Sequence, residues 1–239
     1  MNLSIAIIYQ ELLGTYGDRG NALAFAHRAK LRDFDCEIIS VKPGENIPTS
    51  CDVYLLGGGE DNAQTLATTL LKEYKRTFER AIDKSLLIAI CAGFQILGKQ
   101  FPISDGKFHP GLDLIDVTTQ PGNPRIIGEV VTESIIPGVG KLTGFENHGG
   151  RTTLSNNSDP LGKVISGLGN GIDTNGCFVD GYFSEEIVCS YLHGPILARN
   201  PKLCDYFLAK ATNVEFSSLV EIDSDTAKKL HNERLKAAN

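Results

Sequence analysis

The sequence predicts an α/β fold: a Rossmann-like, doubly wound and largely parallel sheet flanked by helices, with an additional β-rich segment. Short apolar runs alternate with helical patterns through residues 3–99, which is typical of parallel sheets with crossover helices. Three glycines follow one of these runs and a cysteine follows another, at the sheet edge where open α/β folds carry their sites. From about residue 101 to 182 the sequence becomes rich in turn-forming residues.

Hydrophobic periodicity predicts the elements in order. Apolar runs predict four strands in the N-terminal half, at residues 3–9, 36–41, 52–56 and 86–90. Helical spacing of apolar residues predicts the helices between and after them, at 16–32, 62–82 (one helix, or two broken near Leu71) and 92–99. The turn-rich half carries short β-prone runs such as 126–132, and a buried strand at 187–192 and helices at 201–210 and 225–237 follow it. We expect residues 1–239 to form a single domain with a C-terminal helix at about 224–238.

Composition excludes several functional classes. The chain has 239 residues and a net charge of −6, whereas a general nucleic-acid binder presents a basic face. No apolar run approaches the roughly 18 residues of a membrane span, and the N-terminus does not resemble a signal peptide. We therefore expect a cytoplasmic protein whose six cysteines are reduced. The cysteines form no CxxC pair, so we expect no metal site.

Cys91 is the most informative residue of the chain. It lies between the apolar run 86–90 and the predicted helix, with Ala89 and Gly93 two positions away on either side. A cysteine in such a strand-to-helix turn is held at the edge of the sheet, as in a nucleophile elbow. The helix N-terminus favours its thiolate form.

Two further features complete a candidate site. His193 follows the strand predicted at 187–192, where a histidine can accept the thiol proton and return it to a leaving amine. The backbone N–H groups of Gly58 or Gly59, together with that of Ala92, can form an oxyanion hole. Each feature alone is more often structural, but their joint order along the chain favours a catalytic site.

These features, with the phrases around them, resemble the triad-type class I glutamine amidotransferases. Within that family the chain is most similar to the cobyric-acid-synthase-like branch and to the glutaminase subunits of lipid II isoglutaminyl synthases. The phrases that carry the resemblance are GTYGDRGN at 14–21, GGGED at 57–61, CAGFQILG at 91–98, GFENHGGRT at 144–152 and YLHGPIL at 191–197. They span nearly the whole chain.

The resemblance implies hydrolysis of L-glutamine. Cys91 would attack the side-chain amide, His193 would protonate the departing ammonia, and water would hydrolyse the γ-glutamyl thioester. Gln95 would contact the bound substrate. Arg125 matches a substrate-recruiting arginine, whose guanidinium suits the α-carboxylate of glutamine; its alternative role is that of a surface arginine in a loop. His148 is expected to form hydrogen bonds in a turn rather than to act as the base.

One departure from the family pattern concerns the acid of the triad. Most triad amidotransferases carry a glutamate two residues after the histidine, and here that residue is Pro195. Glu146 and Asp61 are candidate replacements within the chain, but the resemblance favours a carboxylate from a partner subunit. A histidine without its orienting acid is a poorer base, so we expect weaker glutaminase activity from the isolated subunit than from a complex.

The resemblance also implies a partner. The chain contains no Walker-type phosphate loop, so we expect no cofactor here, and ATP and Mg²⁺ on a Mur-ligase-like subunit (MurT type) of a heterodimer. That partner would amidate the D-glutamate of lipid II to D-isoglutamine, near the inner face of the membrane. Two alternatives remain: the glutaminase component of a corrinoid-amidating synthase, and a non-catalytic α/β module whose cysteine senses redox state.

Overall fold

The computed structural model describes residues 2–104, 106–173, 176–222 and 225–237. The strands are β1 (Asn2–Ile8), β2 (Asp35–Val41), β3 (Val53–Leu56), β4 (Leu86–Ile90), β5 (Gln100–Pro102), β6 (Phe108–Pro110), β7 (Val117–Ser134), β8 (Lys141–Leu154), β9 (Gly162–Ser166), β10 (Gly171–Ile172), β11 (Phe178–Asp180), β12 (Tyr182–Phe183) and β13 (Ile187–Ser190). The α-helices are α1 (Arg19–Lys30), α2 (Asp61–Glu73), α3 (Lys75–Ile82), α4 (Ala92–Leu97), α5 (Ile196–Arg199), α6 (Pro201–Thr212) and α7 (Asp225–Ala237).

The first sheet confirms the predicted doubly wound architecture. Its strand order is β12-β13-β4-β3-β1-β2, and every neighbouring pair is parallel except β12 with β13. Strands β3 and β4 are buried along their whole length, as expected of parallel strands covered on both faces by helices. The chain leaves β1 first toward β2 and then returns to β3 on the other side, and such a reversal of strand order opens a crevice at the carboxyl edge.

The second sheet differs from the sequence-based expectation of short strands. Its order is β10-β11-β9-β7-β8, and β7 and β8 form a hairpin of 18 and 14 residues. The run Pro121-Gly122-Asn123-Pro124 has the composition of a turn, yet the hairpin continues through it because the register shifts between Pro121 and Ile126. Such an irregularity accommodates residues that a regular ladder would exclude.

Two smaller differences concern helix and strand ends. The predicted helix at 62–82 is two helices, and the break lies at Tyr74 rather than near Leu71. Strand β13 ends at Ser190, so His193 lies beyond the strand, where its backbone pairs with Phe145 of β8. This pairing joins the second sheet to the carboxyl edge of the first. Helix α7 is the expected C-terminal helix, and the outermost predicted positions, 224 and 238, lie outside the described residues.

All six cysteines are free thiols. Through the described part of the chain, no helix has the length and apolar character needed to cross a bilayer.

Candidate functional site

Four residues that follow adjacent strands of the first sheet meet at its carboxyl edge. Asp18 ends the segment after β1, Gly58 follows β3, Cys91 follows β4 and His193 follows β13. A Cβ placed on Gly58 would lie 2.8 Å from Cε1 of His193 and 3.5 Å from Cβ of Cys91. The same Cβ would lie 3.4 Å from Oδ2 of Asp18. Strand order therefore brings together residues that are far apart in sequence.

Cys91 has the strained backbone of a nucleophile elbow. It caps α4 with φ 51° and ψ −103°, and a positive φ costs a non-glycine residue about 1–3 kcal/mol. Its N–H donates to the carbonyl of Ser190 at 2.9 Å. A Cβ on Gly93 would lie 2.6 Å from the carbonyl oxygen of Leu56, so only glycine allows α4 to start this close to β3. The predicted sharp strand-to-helix turn at Cys91 is confirmed.

His193 is buried and fixed from two sides. Its N–H and carbonyl exchange hydrogen bonds with Phe145 at 2.9 and 3.1 Å, and the ring of Tyr16 lies 4.3 Å from its imidazole, centroid to centroid. Burial lowers the pKa of the imidazole, but the neighbouring Asp18 and Cys91 side chains outweigh burial and raise the pKa to about 10. The imidazolium form is therefore stabilised beside the cysteine, as a thiolate–imidazolium pair requires.

The carboxylate that approaches His193 is that of Asp18. Oδ1 of Asp18 lies 4.0 Å from Nδ1 of His193, and both side chains are buried. Glu146, one of the predicted alternatives, instead accepts two backbone N–H groups at 2.8 and 2.9 Å. Asp61, the other, is exposed in the first turn of α2. The expectation that the acid within this chain is Glu146 or Asp61 is therefore corrected.

The three predicted backbone donors differ in their availability. The Gly58 N–H donates to Oδ2 of Asp18 at 2.6 Å, so the expected role of Gly58 as a substrate donor is not met in this structure. Gly59 and Ala92 both line the cleft beside Cys91. Their N–H groups have no acceptor among the described residues, which leaves these two groups for a substrate oxygen.

A cleft of about 200 Å³ opens in front of Cys91. One wall comes from the first sheet and α2, and the facing wall comes from β7 and β8. The lining side chains that matter for the chemistry are Tyr16, Gln64, Cys91, Gln95, Arg125 and Asn147. The cleft is the size of a small polar molecule, and it brings the predicted residues Cys91, Gln95 and Arg125 into one space.

Gln95 is held in the cleft wall by a buried polar network. Its Oε1 accepts from Nε2 of Gln64 at 3.0 Å, and its Nε2 donates to the hydroxyl of Tyr191 at 3.0 Å. The same hydroxyl lies 2.6 Å from Oγ1 of Thr152. Both polar atoms of the Gln95 side-chain amide are thus engaged by the protein, so this residue shapes the floor of the cleft.

Arg125 lies across the cleft from Cys91, on β7. Its Nε donates to Oδ1 of Asn147 at 2.7 Å, and Nδ2 of Asn147 donates to the hydroxyl of Tyr16 at 2.9 Å. The guanidinium remains exposed. An exposed guanidinium held in place by neighbouring residues suits an incoming carboxylate.

His148 differs from its predicted environment. It lies inside strand β8 rather than in a turn, buried and stacked on Tyr191 with ring centroids 3.9 Å apart. Its Nδ1 forms a hydrogen bond with the carbonyl of Gly150 at 3.0 Å, so the predicted hydrogen-bonding role holds.

Among the residues that the structure describes, no cluster of three or more His, Cys, Asp or Glu side chains is arranged to hold a metal ion.

Sequence reasoning missed three residues of the site. Asp18 and Tyr16 lie in the phrase at 14–21, and Asn147 lies in the phrase at 144–152. Neither phrase by itself assigns a role to these three residues. The signal that points to Asp18 is its position beyond β1, which lies two strands from β4 in the sheet.

Comparison with known proteins agrees with this geometry. A family model for the CobB/CobQ-like glutamine amidotransferase domain matches residues 4–201. The lipid II isoglutaminyl synthase (glutamine-hydrolyzing) subunit GatD of Staphylococcus aureus is 36% identical over 87% of this chain and 84% of its own length. GatD of Streptococcus pneumoniae is 31% identical over 92% of this chain and 84% of its own length.

Other relatives are more distant. A probable cobyric acid synthase of Picrophilus torridus is 28% identical over 69% of this chain, which covers only 39% of that protein. A crystal structure of a glutamine amidotransferase superposes with a TM-score of 0.61 at 19% identity, over 87% of this chain and 98% of that one, which supports the fold. The chain belongs to the CobB/CobQ-like glutamine amidotransferase family.

Proposed function

We propose that the chain is the glutaminase subunit of a lipid II isoglutaminyl synthase. The observation that carries the glutaminase part is the junction of the elbow cysteine Cys91 with the buried His193 at the edge of a substrate-sized cleft. The similarity to two GatD subunits over most of the chain supports the more specific assignment.

The proposed reaction converts glutamine and water to glutamate and ammonia. Sγ of Cys91 attacks the amide carbon while the thiol proton resides on His193. The developing oxyanion accepts hydrogen bonds from the N–H groups of Gly59 and Ala92, each worth about 3 kcal/mol of barrier. The C–N bond then breaks, ammonia leaves with the proton from His193, and water hydrolyses the thioester.

Substrate binding is assigned to the wall opposite Cys91. The Arg125 guanidinium is exposed at the cleft mouth, where it can pair with the α-carboxylate of glutamine in two parallel hydrogen bonds. Gln95 lies deeper, one helical turn beyond Cys91. The two residues together would orient the side-chain amide toward the sulfur.

The ammonia acceptor is assigned to a partner subunit. Relatives named GatD are described as subunits, and this chain carries no Walker-type motif. We propose a Mur-ligase-like partner of the MurT type that binds ATP and Mg²⁺ and activates the α-carboxylate of D-glutamate in lipid II. The complex would act in the cytoplasm, beside the membrane surface that presents lipid II.

An ammonia-bypass experiment tests this proposal. The chain is co-purified with the Mur-ligase-like protein and supplied with lipid II, ATP and Mg²⁺, and amidated stem peptide is measured by mass spectrometry. The wild-type complex is expected to form D-isoglutamine with glutamine or with ammonium chloride, and the Cys91→Ser complex only with ammonium chloride. Cys36→Ser, at a half-buried thiol on β2, is the matched control and should behave as wild type.

Two outcomes would contradict the proposal. Amidation from glutamine at the wild-type rate by Cys91→Ser would remove Cys91 from the chemistry and favour the redox-sensing alternative. Glutamine-dependent amidation of a corrinoid, with none of lipid II, would favour the corrinoid alternative. The probable cobyric acid synthase of Picrophilus torridus supports that alternative less, because the chain covers only 39% of that protein.

A further inference from the structure

Asp18 carries a buried carboxylate at the start of a helix that it does not cap. It is the N-cap residue of α1, where aspartate commonly accepts a hydrogen bond from the first turn of the helix. Here the side chain makes no capping hydrogen bond, and the residue is only 1% exposed. Charged side chains are almost never fully buried unless they are paired, so its partners indicate its role.

The two oxygens of this carboxylate face two parts of the active site. Oδ2 accepts the Gly58 N–H at 2.6 Å, and Oδ1 lies 4.0 Å from Nδ1 of His193. Neither Oδ1 nor either imidazole nitrogen has another hydrogen-bond partner within the described parts of the chain. Catalytic hydrogen bonds are often long in unliganded sites and shorten when substrate binds, so this acceptor and this donor complement each other.

The segment after His193 is packed onto the start of α1. A Cβ on Gly20 would lie 2.3 Å from Cγ of Pro195, and the Leu197 N–H donates to Oδ1 of Asn21 at 2.9 Å. Pro195 is the residue at which the resemblance leads one to expect the glutamate of the triad. In this chain it instead packs against the helix start that carries Asp18.

We infer that Asp18 is the positioning carboxylate of His193 and that it also ties the imidazole to the glycine turn after β3. This inference rests on the proposed glutaminase function. Asp18 accepts a hydrogen bond from the Nδ1–H group of His193, which leaves Nε2 to take the proton of Cys91 and later deliver it to ammonia. Because the same carboxylate holds Gly58, the base and the neighbouring Gly59 donor keep a fixed spacing during the reaction.

The charged and titratable groups around the His193 imidazole determine how its protonation depends on pH. Tyr16, Asp18 and Cys91 face it directly, and the buried Asp180 also interacts with it electrostatically. Burial raises the pKa of Asp180 to about 7, so its charge is incomplete at neutral pH. The raised pKa of His193 means that the imidazolium persists up to about pH 10. Removing the charge of Asp18 lowers the pH up to which the imidazolium persists.

Asp18→Asn is the discriminating variant. The asparagine carbonyl can still accept the Gly58 N–H, but its neutral amide no longer stabilises a protonated Nδ1. We expect kcat for glutamine hydrolysis in the complex to fall about 100-fold or more with KM nearly unchanged, since a misplaced tautomer removes general-base catalysis. Asp33→Asn, an exposed aspartate just beyond the other end of α1, is the matched control and should retain the wild-type kcat.

A second measurement needs neither glutamine nor the partner. The rate of Cys91 alkylation by iodoacetamide is followed against pH, with peptide mapping to separate it from the other cysteines. For Asp18→Asn we expect the rate at pH 7 to fall about tenfold, which corresponds to a cost of about 1.4 kcal/mol, and the half-maximum to move to higher pH. Wild-type kcat and a wild-type alkylation profile in Asp18→Asn would overturn the inference and place the orienting acid on the partner.

A spectroscopic readout covers the case in which Asp18→Asn does not fold. The imidazole ¹⁵N resonances of His193 in the wild-type chain are assigned by their loss in His193→Gln. A proton on Nδ1 throughout the neutral range is the expected result, and a neutral ring protonated only on Nε2 would overturn the inference. If wild-type protein releases no ammonia yet shows the alkylation shift, the proposed function fails while the role of Asp18 in positioning His193 stands.

Discussion

The two sheets of this protein contribute different parts of one site. The parallel sheet supplies the reacting groups from its strand ends, with Cys91 and His193 both nearly buried. The antiparallel sheet supplies the opposite wall, where Arg125 and Asn147 lie on the long hairpin. The reacting groups therefore lie on the more constrained backbone, and the proposed substrate contacts lie on a more exposed one. Substitutions in the first sheet should therefore lower kcat, and those in the second should raise KM.

The two walls also differ in how their side chains are held. On the parallel-sheet side, backbone pairing fixes the residues: the Cys91 N–H donates to the carbonyl of Ser190 at the end of β13, and His193 pairs with Phe145. On the hairpin side, Arg125 is fixed through a side-chain contact to Asn147. A site fixed by backbone tolerates little displacement, whereas a side-chain contact can exchange for a ligand.

The largest effect on kcat is expected at the general base, His193. His193→Gln removes proton transfer while keeping a polar side chain of similar size, and kcat should fall about 10²–10⁴-fold, the range typical of general acid–base catalysis. Steady-state ammonia release by the complex measures it. His27→Gln, on the exposed face of α1, is the control. A His193→Gln enzyme with unchanged kcat would break the assignment of chemistry to the parallel sheet.

An effect of intermediate size, on KM, is expected at Arg125 in the cleft wall opposite Cys91. Arg125→Ala removes the guanidinium proposed to meet the α-carboxylate, and KM for glutamine should rise about 10–100-fold with kcat changed less, because a hydrogen bond to a charged group contributes about 1.5–3 kcal/mol. Arg125→Lys should recover part of the loss, and Arg76→Ala on α3 should have no effect. A loss confined to kcat would contradict the division between the two sheets.

The smallest effect on catalysis is expected at Tyr191, whose hydroxyl belongs to the hydrogen-bond network shared by the two sheets. Tyr191→Phe removes the hydroxyl that bonds Gln95 and Thr152. We expect unfolding free energy to fall by about 1–3 kcal/mol, since buried partners lose a hydrogen bond, and KM to rise only a few-fold because Gln64 still holds Gln95. Chemical denaturation and steady-state kinetics measure the two quantities. A large fall in kcat would show that Tyr191 acts on the reacting groups.

Local sequence patterns predicted the parallel sheet well and its long-range contacts poorly. The strand at 86–90 and the turn at Cys91 follow from consecutive residues, and the structure has the same bounds. Asp18 was missed because its contact with His193 depends on the positions of β1 and β13 in the sheet, which no local pattern encodes.

The antiparallel sheet was predicted only as a β-rich segment. The run Pro121-Gly122-Asn123-Pro124 has the composition of a loop, yet β7 continues through it. Pairing with β8 overrides local preference there, as tertiary context often does in strands. Arg125 was expected in a loop or at the substrate, and its place on the hairpin beside Asn147 depends on that pairing.

The most direct test of the site is covalent trapping by acivicin, an electrophilic glutamine analogue. Peptide mapping by mass spectrometry would identify which of the six cysteines reacts. Cys36 and Cys177 are more exposed than Cys91, so non-selective alkylation would modify them first. We expect a single adduct on Cys91 that glutamine protects against and that His193→Gln slows. Labelling of Cys36 or Cys177 ahead of Cys91, or no protection by glutamine, would contradict the assignment of this site to glutamine hydrolysis.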